Sequence, residues 1–244
     1  MSDPVPGFVH RDLHRLGVEL NDATLEKLAR YVDLLLETNR KFNLTAVRDR
    51  DQAWERHIID SLTLMPFLAR LAAESQLIDV GTGGGLPGIA LALARGDLRV
   101  TLLEATGKKA KFCDQCIAEL GLDHVKTIHD RAEILGRDAN HRQRYDAAVC
   151  RAVGTMSTLL EYTMPLIRVG GVVLAMKGPK VEGELDAAGD ALDVLGSGQV
   201  QVYDTYPPDF NKHTVVVIVN KQLPTDNAYP RLPGVPRSDP LQGL

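Results

Sequence analysis

A run of glycines at the junction of two hydrophobic patterns constrains this chain most. Leu77-Ile78-Asp79-Val80 is a short apolar, β-branched run, and the helical pattern Ile89, Leu91, Leu93, Ala94 begins nine residues after it. Between them lies Gly81-Thr82-Gly83-Gly84-Gly85-Leu86-Pro87-Gly88. Glycines allow a sharp turn and a close backbone approach to a ligand, and a helix start offers free N–H groups. Four glycines among residues 81–85 destabilise a loop through backbone entropy unless something requires them. A strand–glycine–helix junction is also where a doubly wound sheet meets its ligand.

The pattern downstream fits such a sheet. Val100–Glu104 reads as a strand, Lys108–Leu120 as a helix, Val125–Ile128 and Tyr145–Cys150 as strands, Met156–Ile167 as a helix and Val172–Met176 as a strand. This alternation at βαβ spacing predicts a mostly parallel sheet covered on both faces. Gln199–Tyr203 and Thr214–Asn220 have only Tyr206-Pro207-Pro208 as punctuation between them, so they are expected to pair antiparallel. Upstream, Asn21 and Asp22 can cap a helix with a stripe at Leu25, Leu28, Val32, Leu35 and Leu36, and a second helical stretch is expected from Gln52 to Leu71. The tail from Leu223 holds five of the 13 prolines, which excludes a helix or an inner strand. Three segments follow: an N-terminal helical extension over 1–75, a Rossmann-like domain over 76–222 and a proline-rich tail over 223–244.

Composition narrows the function classes. The net charge of −4 excludes nucleic-acid binding by bulk charge and demands a local patch. Three cysteines do not make a secreted disulfide framework. Met1-Ser2-Asp3-Pro4 lacks the basic and apolar regions of a signal peptide, and the longest apolar run, Val169–Met176, is too short to span a bilayer. A soluble, cytoplasmic, monomeric protein with no membrane partner and no metal is expected.

The loop is not a P-loop, since no Gly-Lys-Ser/Thr follows it. Residues 83–88 spell G-x-G-x-x-G, which leaves a dinucleotide or S-adenosylmethionine. Asp79, two residues before Gly81, suits the cationic amino-acid part of the methyl donor. Glu104, ending the second strand, can accept both ribose hydroxyls, in NAD proteins as well. The antiparallel terminal pair is the arrangement that closes the class I methyltransferase sheet, so a seven-stranded α/β fold of that class is expected. The Asn/Asp-Pro-Pro-aromatic motif of amine methylation is missing; Cys150-Arg151-Ala152-Val153 stands in its place. Cys150 lacks the preceding proline of a carbon-methylating nucleophile and reads as a small buried hydrophobe. What remains includes attack by an unprotonated ring nitrogen such as guanine N7, which needs alignment and no general base.

Several motifs in order along the chain resemble the bacterial glucose-inhibited division protein B family. They are Asn43-Leu44-Thr45, His57-Ile58-Ile59-Asp60-Ser61-Leu62, the glycine loop with its Leu86-Pro87-Gly88, Lys108-Lys109, Arg131-Ala132-Glu133, Cys150-Arg151-Ala152, Met176-Lys177-Gly178 and Tyr229-Pro230-Arg231-Leu232-Pro233-Gly234. The resemblance implies methyl transfer from S-adenosylmethionine to guanine N7 in 16S ribosomal RNA, with that RNA or the small ribosomal subunit as partner. It implies that Gly81 and Leu86 line the donor pocket, that Ala132 and Glu133 meet the adenine and that Glu104 lies at the ribose. Arg151 would sit beside donor and target base, and Lys108, Arg131 and Lys177 become candidate RNA contacts.

Blander readings compete for some of these residues. Lys108, Lys109 and Lys111 also suit a solvated helix face. Cys113-x-x-Cys116 lies inside a helix with no second ligand pair. His57, Asp60 and Ser61 hold the residue types of a hydrolase triad but lack a nucleophile elbow, so a structural hydrogen-bond cluster is expected. Two other functions remain open at this level: an NAD-dependent dehydrogenase, and a non-enzymatic RNA-binding ribosome-assembly factor.

Overall fold

A computed structural model describes residues 4–210 and 212–241. Two helices open the chain, α1 (Gly7–Arg15) and α2 (Asp22–Asn39). The Asn21 side chain caps α2 by accepting from the Thr24 amide at 2.8 Å. Leu25, Leu28, Val32 and Leu35 are buried, together with Tyr31 and Leu34, whereas Leu36 is only partly covered. Each fully buried leucine contributes about 1.5–3 kcal/mol, so packing decides the helix more than propensity does.

The stretch expected as one helix from Gln52 to Leu71 is segmented. It comprises α3 (Arg50–Ala53), a π-helical turn (Trp54–Ile59), α4 (Asp60–Leu62) and α5 (Met65–Leu68). Pro66 sits in the first turn of α5, where its ring is tolerated, and cannot continue the preceding helix. The wider π turn buries Trp54, His57, Ile58 and Ile59 together.

The remaining elements alternate as β1 (Gln76–Val80), α6 (Gly88–Ala94), β2 (Arg99–Leu103), α7 (Gly107–Leu120), β3 (Val125–Ile128), α8 (Ala132–Leu135), β4 (Tyr145–Arg151), α9 (Met156–Thr163) and β5 (Ile167–Lys177). Then follow α10 (Val181–Asp186), α11 (Gly189–Val194), β6 (Ser197–Asp204), β7 (Val215–Lys221) and α12 (Val235–Ser238). The seven strands lie in the order β3-β2-β1-β4-β5-β7-β6. All neighbours pair parallel except β7, which runs antiparallel to both β5 and β6. The α10 and α11 pieces had no legible pattern, because each is six residues long and carries a glycine.

Side-chain alternation along the strands separates two cores. Leu77, Leu102, Val149 and Met176 join the core that α1, α2 and the 50–68 segment share with the sheet. Ile78, Val80, Leu103, Cys150 and Ala175 join the core on the other face, with Leu159, Leu160 and Ala191 of α9 and α11. The N-terminal helices therefore have no core apart from the sheet.

The tail departs from expectation in one respect. Its described residues hold no inner strand, but Val235–Ser238 forms a single helical turn with Pro236 in its first turn, where no amide is lost from the helix ladder. Its path is fixed by arginines. Arg142 donates to the carbonyls of Tyr229, Thr225 and Asp226, and Arg137 to those of Pro230 and Ala228. Buried Lys221 donates to the Met164 carbonyl at 2.6 Å and to Thr225 Oγ1.

Candidate functional site

The glycine loop is clamped from below. Asp79 Oδ2 accepts from Thr82 Oγ1 at 2.6 Å and from the Gly88 amide at 2.7 Å, while Oδ1 has no partner. Asp79 is fully buried, and burial pushes its carboxyl up to about 6 against those two bonds. The expectation that it faces a ligand is not met. Alternation along β1 points Asp79 to the face covered by α6, and Val80 to the opposite one. Gly88 is required by packing, since a Cβ there would overlap Leu102 and Asp79. From α2, Tyr31 donates its hydroxyl to the Gly84 carbonyl at 2.6 Å.

Gly81 is different, because it borders a cavity and not the packed core. Its φ is +74°, and a Cβ would lie 3.1 Å from Val153 Cγ2. It borders a cavity of 540 Å³ at the carboxyl ends of β1, β2 and β4. Gly81, Arg131, Ala132 and Glu133 all line that cavity, with Ala152, Val153 and Gly154 after β4 and Thr158 and Tyr162 of α9. Glu133 is nearly inaccessible and accepts from Arg131 Nη2 and the Gly234 amide, both at 2.8 Å. Burial alone would raise its carboxyl, but those bonds outweigh it and hold the group below its ordinary value.

Three residues of the expected donor set, Leu86, Glu104 and Arg151, are not among the walls of this cavity, and Arg151 lines the second one. Leu86 belongs to the hydrophobic core and is not among the cavity's walls. Glu104 falls between two wall residues, Leu103 and Ala105, but turns its carboxylate to the amides of Gly83 (2.9 Å) and Thr106 (2.7 Å). A carboxylate has about four acceptor sites, so those two bonds leave capacity for hydroxyl donors.

A second cavity of 410 Å³ adjoins the first, sharing Ala152 and Gly154 as walls. Asp60, Arg151, Met176, Lys177, Glu184 and Thr214 also line it. Arg151 Nη1 donates to Asp60 Oδ2 and to the Arg56 carbonyl, each at 3.1 Å. Burial raises the Asp60 carboxyl and Arg151 opposes the shift. Lys177 is largely covered and donates to the Gly154 carbonyl at 2.5 Å and to Glu184 at 2.7 Å. Ala152 has φ +57°, a conformation that costs a residue other than glycine on the order of 1–3 kcal/mol and concentrates at functional sites.

His57, Asp60 and Ser61 do not form a triad. Ser61 Oγ donates to the His57 carbonyl at 2.5 Å, not to the ring. His57 Nδ1 donates to the Arg56 carbonyl at 3.0 Å, so Nε2 accepts from Thr45 Oγ1 at 2.7 Å. Burial, and then Arg151, push the imidazole down to about 4, which keeps it neutral. The cluster instead positions Arg151 through Asp60. Thr45 is itself held by Asn39, whose Oδ1 accepts from the amides of Leu44 and Thr45.

The three cysteines are buried, and burial raises the thiols of all three. Among the described residues, no group of three His, Cys, Asp or Glu side chains is arranged to hold a metal, and no helix is long and apolar enough to cross a membrane. Lys108 is exposed in the first turn of α7. Sequence reasoning missed Tyr162 and the tail residues Arg237 and Pro240, which also line the first cavity. No spacing rule connects position 237 to a strand end more than 80 residues earlier.

The GidB family model, described as rRNA small subunit methyltransferase G, matches residues 24–209. The chain is 41% identical over 227 residues to the Ribosomal RNA small subunit methyltransferase G of Moorella thermoacetica, covering 93% of this chain and 94% of that one. To the protein of the same name from Lactobacillus johnsonii it is 38% identical, covering 97% and 99%. Among solved structures, the S-adenosylmethionine-dependent methyltransferase SibL in its apo form aligns with a TM-score of 0.56 at 19% identity, over 88% of this chain and 74% of that chain. That likeness concerns the fold: the seven-stranded sheet with β7 reversed is the class I, Rossmann-like methyltransferase arrangement. A family match that runs from α2 through β6, with relatives similar over nearly their whole length, leads to one conclusion: the chain belongs to the GidB family, rRNA small subunit methyltransferase G.

Proposed function

We propose that the two adjoining cavities divide donor from acceptor, and that the chain methylates N7 of a guanine in 16S ribosomal RNA with S-adenosylmethionine. The observation that carries this reading is the shared wall. Ala152 and Gly154 border both cavities, and neither side chain can accept or give a proton. A ring nitrogen with a free lone pair needs no general base, so alignment is sufficient.

The first cavity suits the donor by size, since 540 Å³ lies within the range of small-molecule sites. Gly81 would let the backbone approach it, Ala132 and Glu133 would meet the adenine, and Glu104 would accept from the ribose hydroxyls. Leu86 would act from beneath the loop. When bound, S-adenosylmethionine supplies an electrophilic methyl group on sulfur. In the second cavity Arg151, held by Asp60, is positioned to orient the base, and Lys177 caps the wall at Gly154. Exposed Lys108 and Arg131 would contact RNA phosphates. With a net charge of −4, the chain's own electrostatic footprint is small, which favours the small ribosomal subunit over naked RNA as partner.

The test uses labelled S-adenosylmethionine and small ribosomal subunits from a strain lacking this gene, followed by mass spectrometry of the digested RNA. A single new 7-methylguanosine is expected. Label in another nucleoside, or none despite donor binding, would overturn the assignment.

A further inference from the structure

The C-terminal segment is built into the cavity proposed for the donor. Glu161 on α9 has no exposed surface and accepts from Arg231 through its amide (2.7 Å), Nε (3.0 Å) and Nη2 (2.8 Å). Three residues on, the Gly234 amide donates to Glu133 at 2.8 Å, so the tail fixes a carboxylate that already lines the cavity. Thr158 Oγ1, from another wall residue, donates to the Pro236 carbonyl at 2.9 Å. These bonds consume main-chain groups over residues 231–236 and set the next residues in place without a ligand. Arg237 and Pro240 then stand in the cavity wall, with Arg237 exposed and its charge felt by Tyr162.

We infer that Arg237, which lines the same cavity as Ala132, Glu133 and Tyr162, binds the adenosyl group of the donor as a planar cation over a planar base. This rests on the reading of the first cavity as the donor site. Four observations support it. The tail is tied to the cavity where α8 and α9 contribute walls, by the Gly234 amide to Glu133 and the Pro236 carbonyl to Thr158. Both Glu133 bonds fall on Oε1, so the carboxylate can still accept from the edge of the adenine, and the face of the ring is left to another wall residue. A guanidinium stacks on aromatic planes, whereas an ammonium offers only a point charge. Finally, a wall fixed beforehand by buried bonds loses little freedom when the ligand arrives.

The test is titration calorimetry on the full chain, with S-adenosylhomocysteine and with 5′-methylthioadenosine, which keeps the adenosyl group and lacks the amino-acid arm. Arg237→Ala is expected to weaken both ligands by the same factor, ~5- to 10-fold. Arg237→Lys should behave like Arg237→Ala, because charge without the plane does not stack. Melting of the ligand-free variants should match the parent, since Arg237 is exposed. Unchanged affinities in Arg237→Ala would overturn the inference. So would a loss confined to S-adenosylhomocysteine, or full recovery in Arg237→Lys. If the unaltered chain binds neither ligand, the donor reading itself fails, and the inference with it. No RNA is present, so the outcome is separate from the question of which nucleotide is methylated.

Discussion

Gly81→Val will lower methyl transfer by at least about 100-fold while leaving RNA affinity nearly unchanged. Two effects combine at this position. The residue sits at φ +74°, where a β-branched side chain is strained on the order of 1–3 kcal/mol. Its Cβ would also lie 3.1 Å from Val153 Cγ2, inside the cavity proposed for the donor. A displacement of about 1 Å at a reacting centre is enough for a loss of that size. Single-turnover transfer and a filter-binding measurement with the same RNA separate the two quantities. If methylation survives at more than a tenth of the parent rate, Gly81 does not border the donor.

The second large effect concerns stability. Arg231→Ala strips three side-chain hydrogen bonds, from Nε to both carboxylate oxygens and from Nη2 to Oε2, from Glu161, which has no exposed surface. The amide bond from residue 231 can persist, but the carboxylate loses its only ion-pair partner among the described residues. Breaking a buried pair in this way costs about 3–5 kcal/mol, because the remaining charge is left desolvated. Arg231 itself reaches solvent, so the lower end, about 3 kcal/mol, is expected from urea unfolding. The double variant Glu161→Leu/Arg231→Leu should recover a large part of that loss, since an apolar pair carries no desolvation penalty. A loss below about 1 kcal/mol in Arg231→Ala would show that the tail is not anchored through this pair. The same variant should weaken S-adenosylhomocysteine binding, because the wall at Arg237 hangs from this anchor.

Much of the architecture was legible because its causes are local. The short, nearly continuous apolar runs at Leu77–Val80 and Val215–Val219 and the glycines between β1 and α6 carry their own explanation, and so does the missing helix between the last two strands. Of the residues that line the two cavities, Gly81 followed from the glycine loop at a strand end, whereas Ala132, Glu133 and Arg151 were named only through the family resemblance. Asp79 is instructive in another way. Its position at a strand end suggested a ligand contact, yet its parity with Leu77 already directed it beneath the loop, so the signal was present and a second rule outweighed the first. The π turn at Trp54–Ile59 had no such signal, because helical periodicity does not distinguish one extra residue per turn. Nor did the tail. Proline content argued for irregular chain, but what fixes that chain is Glu161, Arg142 and Arg137, far off in sequence, and only the folded molecule brings them together.

Two adjoining cavities divide donor from acceptor in the proposed function. A crystal structure with S-adenosylhomocysteine and guanosine 5′-monophosphate tests that division most directly. The account predicts the adenosyl group against Gly81, Ala132, Glu133 and Arg237, and the guanine against Arg151 and Asp60, with Ala152 and Gly154 between them. A nucleoside in the second cavity with the first one empty, or guanine stacked at Tyr162, would contradict it.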